Sequence, residues 1–190
     1  MSALSIRKDI LLLRKSDKIY LILHNIRSVY NVGAIFRTAD AARVSKIFLT
    51  GYTPDPAQKT ALGAEKFVTW ERYLDISRLI RDLKKIKIQI IALEQSKKAV
   101  DYRKFRPRFS IALILGNEVR GISKPLLKKC DKIIYISQYG KKESLNVSVA
   151  AGIALFELIK AKCPRADFPK TPAGGLNISS ILSDRSPDHF

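Results

Sequence analysis

Hydrophobic residues in this chain come in short unbroken runs, separated by segments with helical spacing. Ile19–Leu23 (IYLIL), Lys46–Thr50 (KIFLT), Gln89–Leu93 (QIIAL), Ser110–Leu115 (SIALIL) and Ile133–Ile136 (IIYI) have strand length, and Val68–Tyr73 predicts a shorter strand. Runs without polar alternation mark strands covered on both faces. Between them, Ile35, Phe36, Ala39 and Ala42 recur at helical spacing in a segment opened by Asn31, and Asp75 stands as N-cap to ISRLIRDLKKI. Ser123 precedes a short helical KPLLKKC segment. Tyr52–Lys66, with Pro54, Pro56 and Gly63, predicts a long loop holding one turn of helix. This alternation predicts an α/β domain built on a mostly parallel sheet with helices on both faces.

The last apolar segment differs from the others. Leu145 to Phe156 carries no charge, yet it is too short to span a bilayer, which takes about 20 apolar residues. It predicts a helix buried on most of its faces, with Ala150, Ala151, Gly152 and Ala154 small enough for a neighbouring backbone to approach closely. Lys160 and Lys162 complement its carboxyl end and Pro164 stops it. A polar loop, Ser137–Glu143, leads in. Ser144 and Asn146 straddle Leu145 where an N-cap is expected, which places polar groups and unpaired N–H donors against a ligand.

Charge narrows the choice of partner. The 190 residues hold 35 Lys and Arg against 17 Asp and Glu, a net charge of +18. Such an excess on a folded chain points to a polyanion, through release of counterions. Residues 78–108 concentrate it, with eleven basic and three acidic side chains. Within that stretch Lys97, Lys98, Arg103 and Lys104 alternate with Tyr102 and Phe105, a pattern suited to phosphates and unstacked bases. An anionic membrane would call for a basic amphipathic helix or lipidation signal, and neither is evident.

Residues 1–18 read as a basic arm or helix carrying Arg7, Lys8, Arg14 and Lys15, residues 19–162 as the folded domain, and residues 163–190 as a proline-rich tail with a short helix near Ile178–Leu182. The first segment lacks the pattern of a secretory signal, and Cys130 and Cys163 follow no disulfide or metal-ligand spacing, so a reducing, cytoplasmic setting is expected. His24 and His189, in a turn and near the end of the chain, offer no triad and no zinc site; no metal is expected. Gly33 alone does not make a dinucleotide fingerprint, and there is no GxxxxGK[ST].

Three loops remain, each expected at the carboxyl end of a strand, where open α/β sheets hold ligands. They read NVGAIFRTA from Asn31, LGNEVRG from Leu115, and IxxxGxxxSLNVS from Ile136. Their order and wording resemble the three motifs of the SpoU/TrmH-type RNA ribose methyltransferases of the SPOUT superfamily, over about residues 19–160. The resemblance implies a C-terminal deep trefoil knot, a homodimer, and methyl transfer from S-adenosylmethionine to a ribose 2′-OH of tRNA or rRNA, tRNA being favoured. It assigns Asn31, Arg37, Glu118, Ser144 and Asn146 to the catalytic site. It also implies that Leu93, Gly116, Asn117, Ile136 and Leu145 hold the cofactor, with Gly116 leaving room for the adenosine. The alternative is a catalytically silent knotted module that only binds RNA. Two positions depart from the family wording: Ser137 follows Ile136 where proline is usual, and Arg43 stands where glycine is common.

Overall fold

The computed structural model describes residues 18–162 apart from Phe109. The predicted arm with its four cations, Cys163, His189 and the helix near Ile178–Leu182 lie outside the described residues. Each apolar run becomes a strand: β1 (Ile19–His24), β2 (Lys46–Thr50), β3 (Trp70–Tyr73), β4 (Gln89–Leu93), β6 (Ile111–Leu115) and β7 (Lys132–Tyr135). A two-residue strand that no apolar run announces, β5 (Val100–Asp101), pairs with β7. All pairings are parallel, and the order across the sheet is β3-β2-β1-β6-β4-β7-β5.

Alternate side chains of a strand point to opposite faces, so each central strand feeds two cores. On one face Leu21, Leu23, Ile47, Leu49, Leu113 and Leu115 meet helix α1 (Val29–Ala41) and helix α6 (Val147–Lys162). On the other, Tyr20, Ile22, Phe48, Ile90, Ala112 and Ile114 meet helix α4 (Ile76–Lys85) and the short helix α5 (Lys124–Leu127). Asp75 caps α4 as expected, its carboxylate accepting from Ser77 N at 2.7 Å. Ser123 precedes α5 without a side-chain cap bond.

The 52–66 loop holds two single turns of helix, α2 (Gln58–Ala61) and α3 (Ala64–Phe67). Gly33 of α1 faces α2 so closely that a Cβ there would collide with Thr60. Within one chain α6 is less buried than its apolar sequence predicts. Ala151, Ala154, Leu155 and Leu158 are packed inside, but Val149 is 51% and Phe156 54% exposed. A Cβ on Gly152 would meet only Thr38 Cγ2, at an ordinary 3.6 Å. Gly152 is therefore not required by a backbone contact inside the chain. Among the described residues no helix is long and apolar enough to cross a membrane, and no cluster of His, Cys, Asp and Glu is placed to hold a metal ion.

Candidate active site

Because every strand is parallel, the loops after β1, β4, β6 and β7 emerge along one edge of the sheet. The order reverses there, with β6 inserted between β1 and β4. A cleft of about 330 Å³ opens at this edge. Leu93, Gly116, Asn117, Ile136 and Leu145 all line it, as do Glu118 and Ser144. Leu115, Val147 and Ala150 extend its apolar wall.

One line of hydrogen bonds runs outward from the cleft lining at Glu118 to Asn31 and Asn146, which do not themselves line the cleft. Glu118 accepts from Arg27 N at 2.9 Å, from Ser28 N at 3.1 Å and from Asn31 Nδ2 at 2.9 Å. Asn31 Oδ1 in turn accepts from Asn146 Nδ2 at 3.0 Å. Asn146 Oδ1 accepts from Ser148 N at 2.8 Å and from Ser148 Oγ at 2.6 Å, which makes Asn146 the N-cap of α6. Residues 31, 118 and 146, far apart in sequence, thus form one network. Burial pushes the Glu118 carboxyl up, but the bonds from Arg27, Asn31 and Ser28 outweigh it and hold the group below its ordinary value.

Asn31 does not open the helix. Ser28 is its N-cap, accepting from Asn31 N at 3.3 Å, so α1 starts at Val29 and the Asn31 side chain is free to join the network. Ser144 is not a cap; it sits at the rim of the cleft, two residues before Asn146. Asn117, almost fully buried, donates to Asn25 O and Tyr52 Oη, both at 2.9 Å, and accepts from Val119 N and Arg120 N. Its amide thus shapes the turn, together with its carbonyl, which accepts from Gly121 N at 2.9 Å.

Three expectations change. Arg37 does not line the cleft; it sits exposed in a separate depression with Asp40, Ala61, Leu62, Ala64 and Phe67. A Cβ on Gly116 would lie 2.5 Å from Ile122 Cγ1 and 2.8 Å from Gly121 C, so this glycine is required by its own turn before any ligand enters. The basic stretch 78–108 is contiguous only in sequence. The α4 part covers the second core, whereas Phe105, expected to stack on bases, is buried in the first core on the opposite face. Lys97, Lys98, Arg103 and Lys104 remain exposed around it.

The residue after Leu93 went unrecognised in the sequence. Glu94 Oε2 accepts from Ile122 N at 2.6 Å and fixes the turn below the cleft, while Gln95 Nε2 donates to Ile136 O at 2.8 Å. Their place directly after a strand was the available signal.

Residues 18–156 match the SpoU rRNA Methylase family. The chain belongs to that family. It is 33% identical over 160 residues to the 23S rRNA (guanosine-2′-O-)-methyltransferase RlmB of Haemophilus ducreyi, covering 82% of this chain and 65% of that protein. The AdoMet-bound rRNA methyltransferase from Sinorhizobium meliloti superposes with a TM-score of 0.72 at 31% identity, over 77% of this chain and 57% of the other. The Aquifex aeolicus TrmH/SpoU tRNA modifying enzyme superposes with a TM-score of 0.74 at 28% identity, over 94% of this chain and 95% of the other. The chain spans a little under two thirds of the length of several curated relatives it matches.

Both departures from the family wording have a local account. Arg43 has φ of +49°, a left-handed conformation that glycine adopts without strain and that costs other residues about 1–2 kcal/mol. Ser137 uses its hydroxyl where proline would have none, donating to Asp101 Oδ2 at 3.0 Å.

Proposed function

We propose that this protein transfers a methyl group from S-adenosylmethionine to a ribose 2′-hydroxyl of RNA. The observation that carries the reading is the line Glu118–Asn31–Asn146, which starts at the lining of an apolar cleft formed by three strand ends. The lining fits the cofactor. The cleft has the volume of a small-molecule site, apolar walls from Leu93, Leu115, Ile136 and Leu145 suit an adenosine, and rim main chain and Ser144 suit its polar groups. When bound, the cofactor supplies a methyl on a sulfonium, ready for in-line displacement.

The chain's own residues then supply position and charge. Glu118 and Asn146 fix the Asn31 carboxamide from both ends, so it presents one orientation to a ribose. A guanidinium is a poor base; Arg37 instead grips the target phosphate and stabilises the developing alkoxide. Since Arg37 lies outside its own chain's cleft, we assign it to the cleft of a second copy. The exposed Tyr30, Phe67, Val149 and Phe156 support a homodimer through α1, α3 and α6. A sheet order with β6 inside β1 and β4, and loops 116–121 and 136–147 sharing one cleft, supports the C-terminal trefoil knot. The near-complete mutual coverage with the Aquifex tRNA-modifying enzyme favours tRNA over rRNA.

The test is incubation with methyl-labelled S-adenosylmethionine and unfractionated tRNA or rRNA, followed by nucleoside mass spectrometry. A labelled 2′-O-methyl nucleoside is expected, and label on a base would overturn the reading. RNA binding without cofactor binding would favour the silent module. Arg37→Ala should lose about 10²–10³ in rate with cofactor affinity retained, and Arg37→Lys should restore little, lacking the planar fork. A monomeric mass in light scattering would remove the dimer and the shared site together.

A further inference from the structure

Asp101 occupies an unusual place. It ends the two-residue strand β5, paired to Tyr135 of β7, and its side chain is almost fully buried. Its Oδ1 accepts from Arg103 N at 2.9 Å and Arg103 Nε at 3.1 Å. Its Oδ2 accepts from Arg103 Nη2 at 2.9 Å and from the Ser137 hydroxyl at 3.0 Å. One carboxylate therefore holds together two segments that lie far apart in sequence, through Arg103 and Ser137. One is the cationic segment 97–108. The other is the strip 136–147 that forms a wall of the cleft.

Each side reaches its own ligand. Arg103 is about half exposed, lies over the Tyr102 ring at 5.8 Å, and its Nη2 comes within 3.5 Å of Tyr139 Oη in the same loop as Ser137. Its Nη1 takes no protein acceptor among the described residues and stays open to a phosphate. On the other side, Ser137 follows Ile136, whose side chain lines the cleft and whose carbonyl accepts from Gln95 and Gln138. Oδ2 is an acceptor shared between the two segments. A phosphate that draws on the guanidinium leaves more of that oxygen to the Ser137 hydroxyl and tightens the loop.

We propose that Asp101 is a positioning residue that couples RNA held at Arg103 to cofactor held in the cleft, so that each ligand strengthens the binding of the other. This rests on the methyltransferase reading above. The reaction gains order from it: the cleft is held most firmly when RNA is present. Reciprocity is required, because a coupling free energy acts equally on both ligands.

The experiment measures the affinity of S-adenosylhomocysteine, which cannot donate a methyl group, by calorimetry with and without saturating unfractionated tRNA. The wild type should bind it at least about fivefold more tightly with RNA present. Asp101→Asn and Ser137→Ala should each reduce that ratio to near one while both ligands still bind separately. Ser137→Thr, which keeps the hydroxyl, should retain it. Should Asp101→Asn fail to fold, Ser137→Ala carries the test alone, since it deletes a single hydroxyl from a surface loop. A merely structural Asp101 would lower the melting temperature and leave the ratio unchanged. Binding of both ligands without coupling in the wild type, or coupling that survives in Ser137→Ala, overturns the proposal and leaves the methyltransferase reading intact. Failure of the wild type to bind the cofactor product at all overturns both.

Discussion

Both carboxylate oxygens of Glu118 accept bonds from the turn before α1, and one also accepts from Asn31, so this side chain orders the polar edge of the site. Its pKa is lower in the folded protein than the ordinary 4.5. The ionised form is therefore favoured by folding. The resulting stability is fully present above the unfolded value and is lost as pH falls through the lower folded one. Glu118→Gln should lower stability at neutral pH by about 1–3 kcal/mol, because an amide presents one oxygen and one NH₂ to a set of donors. The variant should also lose less stability than wild type as pH falls below 4.5. Thermal melts across that range check both statements, and parallel pH profiles would show that Glu118 is not ionised or not bound as described.

At the scale of elements, the turn from Gly116 to Gly121 depends on space more than on sequence-local preference. Gly121 N donates to Asn117 O at 2.9 Å, Gly121 takes φ of +61°, and Glu94 closes the turn from below through Ile122 N. A methyl at Gly116 would press on Ile122 and on the Gly121 main chain. Gly116→Ala should therefore shift the turn, carry Glu118 with it, and cost about 1–3 kcal/mol of stability. Cofactor affinity should fall even with this smallest of side chains, whereas a purely ligand-facing position would tolerate alanine. Calorimetry with S-adenosylhomocysteine, beside a melting curve, separates the two cases.

Across the whole molecule, the sheet sorts the basic charge. Three of the four cations of α4 meet acids: Arg78 at 3.9 Å and Lys85 at 3.0 Å from Asp82, and Lys84 at 2.6 Å from Asp131. Lys97, Lys98, Arg103 and Lys104 lie on the segment tied to the cleft loop, and among the described residues only Arg103 of these four has a carboxylate partner. Charge reversal of these four should weaken RNA binding and flatten its salt dependence by roughly 0.7–0.9 in log–log slope for each phosphate no longer neutralised. Reversal of Arg78, Lys84 and Lys85 should change the slope little. Equal effects from both sets would mean that RNA wraps both faces of the sheet.

Local pattern by itself determined a good deal of this protein. Strands β2 and β4 fall where their unbroken apolar runs predict, Asp75 caps α4, and the second and third of the stretches that carry the family resemblance meet at one sheet edge as loops, whereas the first lies within helix α1. These features were legible because burial on both faces and helix capping leave their marks within a few residues. Tertiary structure alone decided the rest. It inserted β6 between β1 and β4, made a strand of Val100–Asp101 through pairing with β7, and buried Phe105 beneath the cations around it. It also turned Asn31 from an apparent helix start into the link between Glu118 and Asn146, while Ser28 took over the cap. Spacing along a chain tells which face of an element is apolar; which distant element will cover that face is chosen by packing and chain closure over the whole fold.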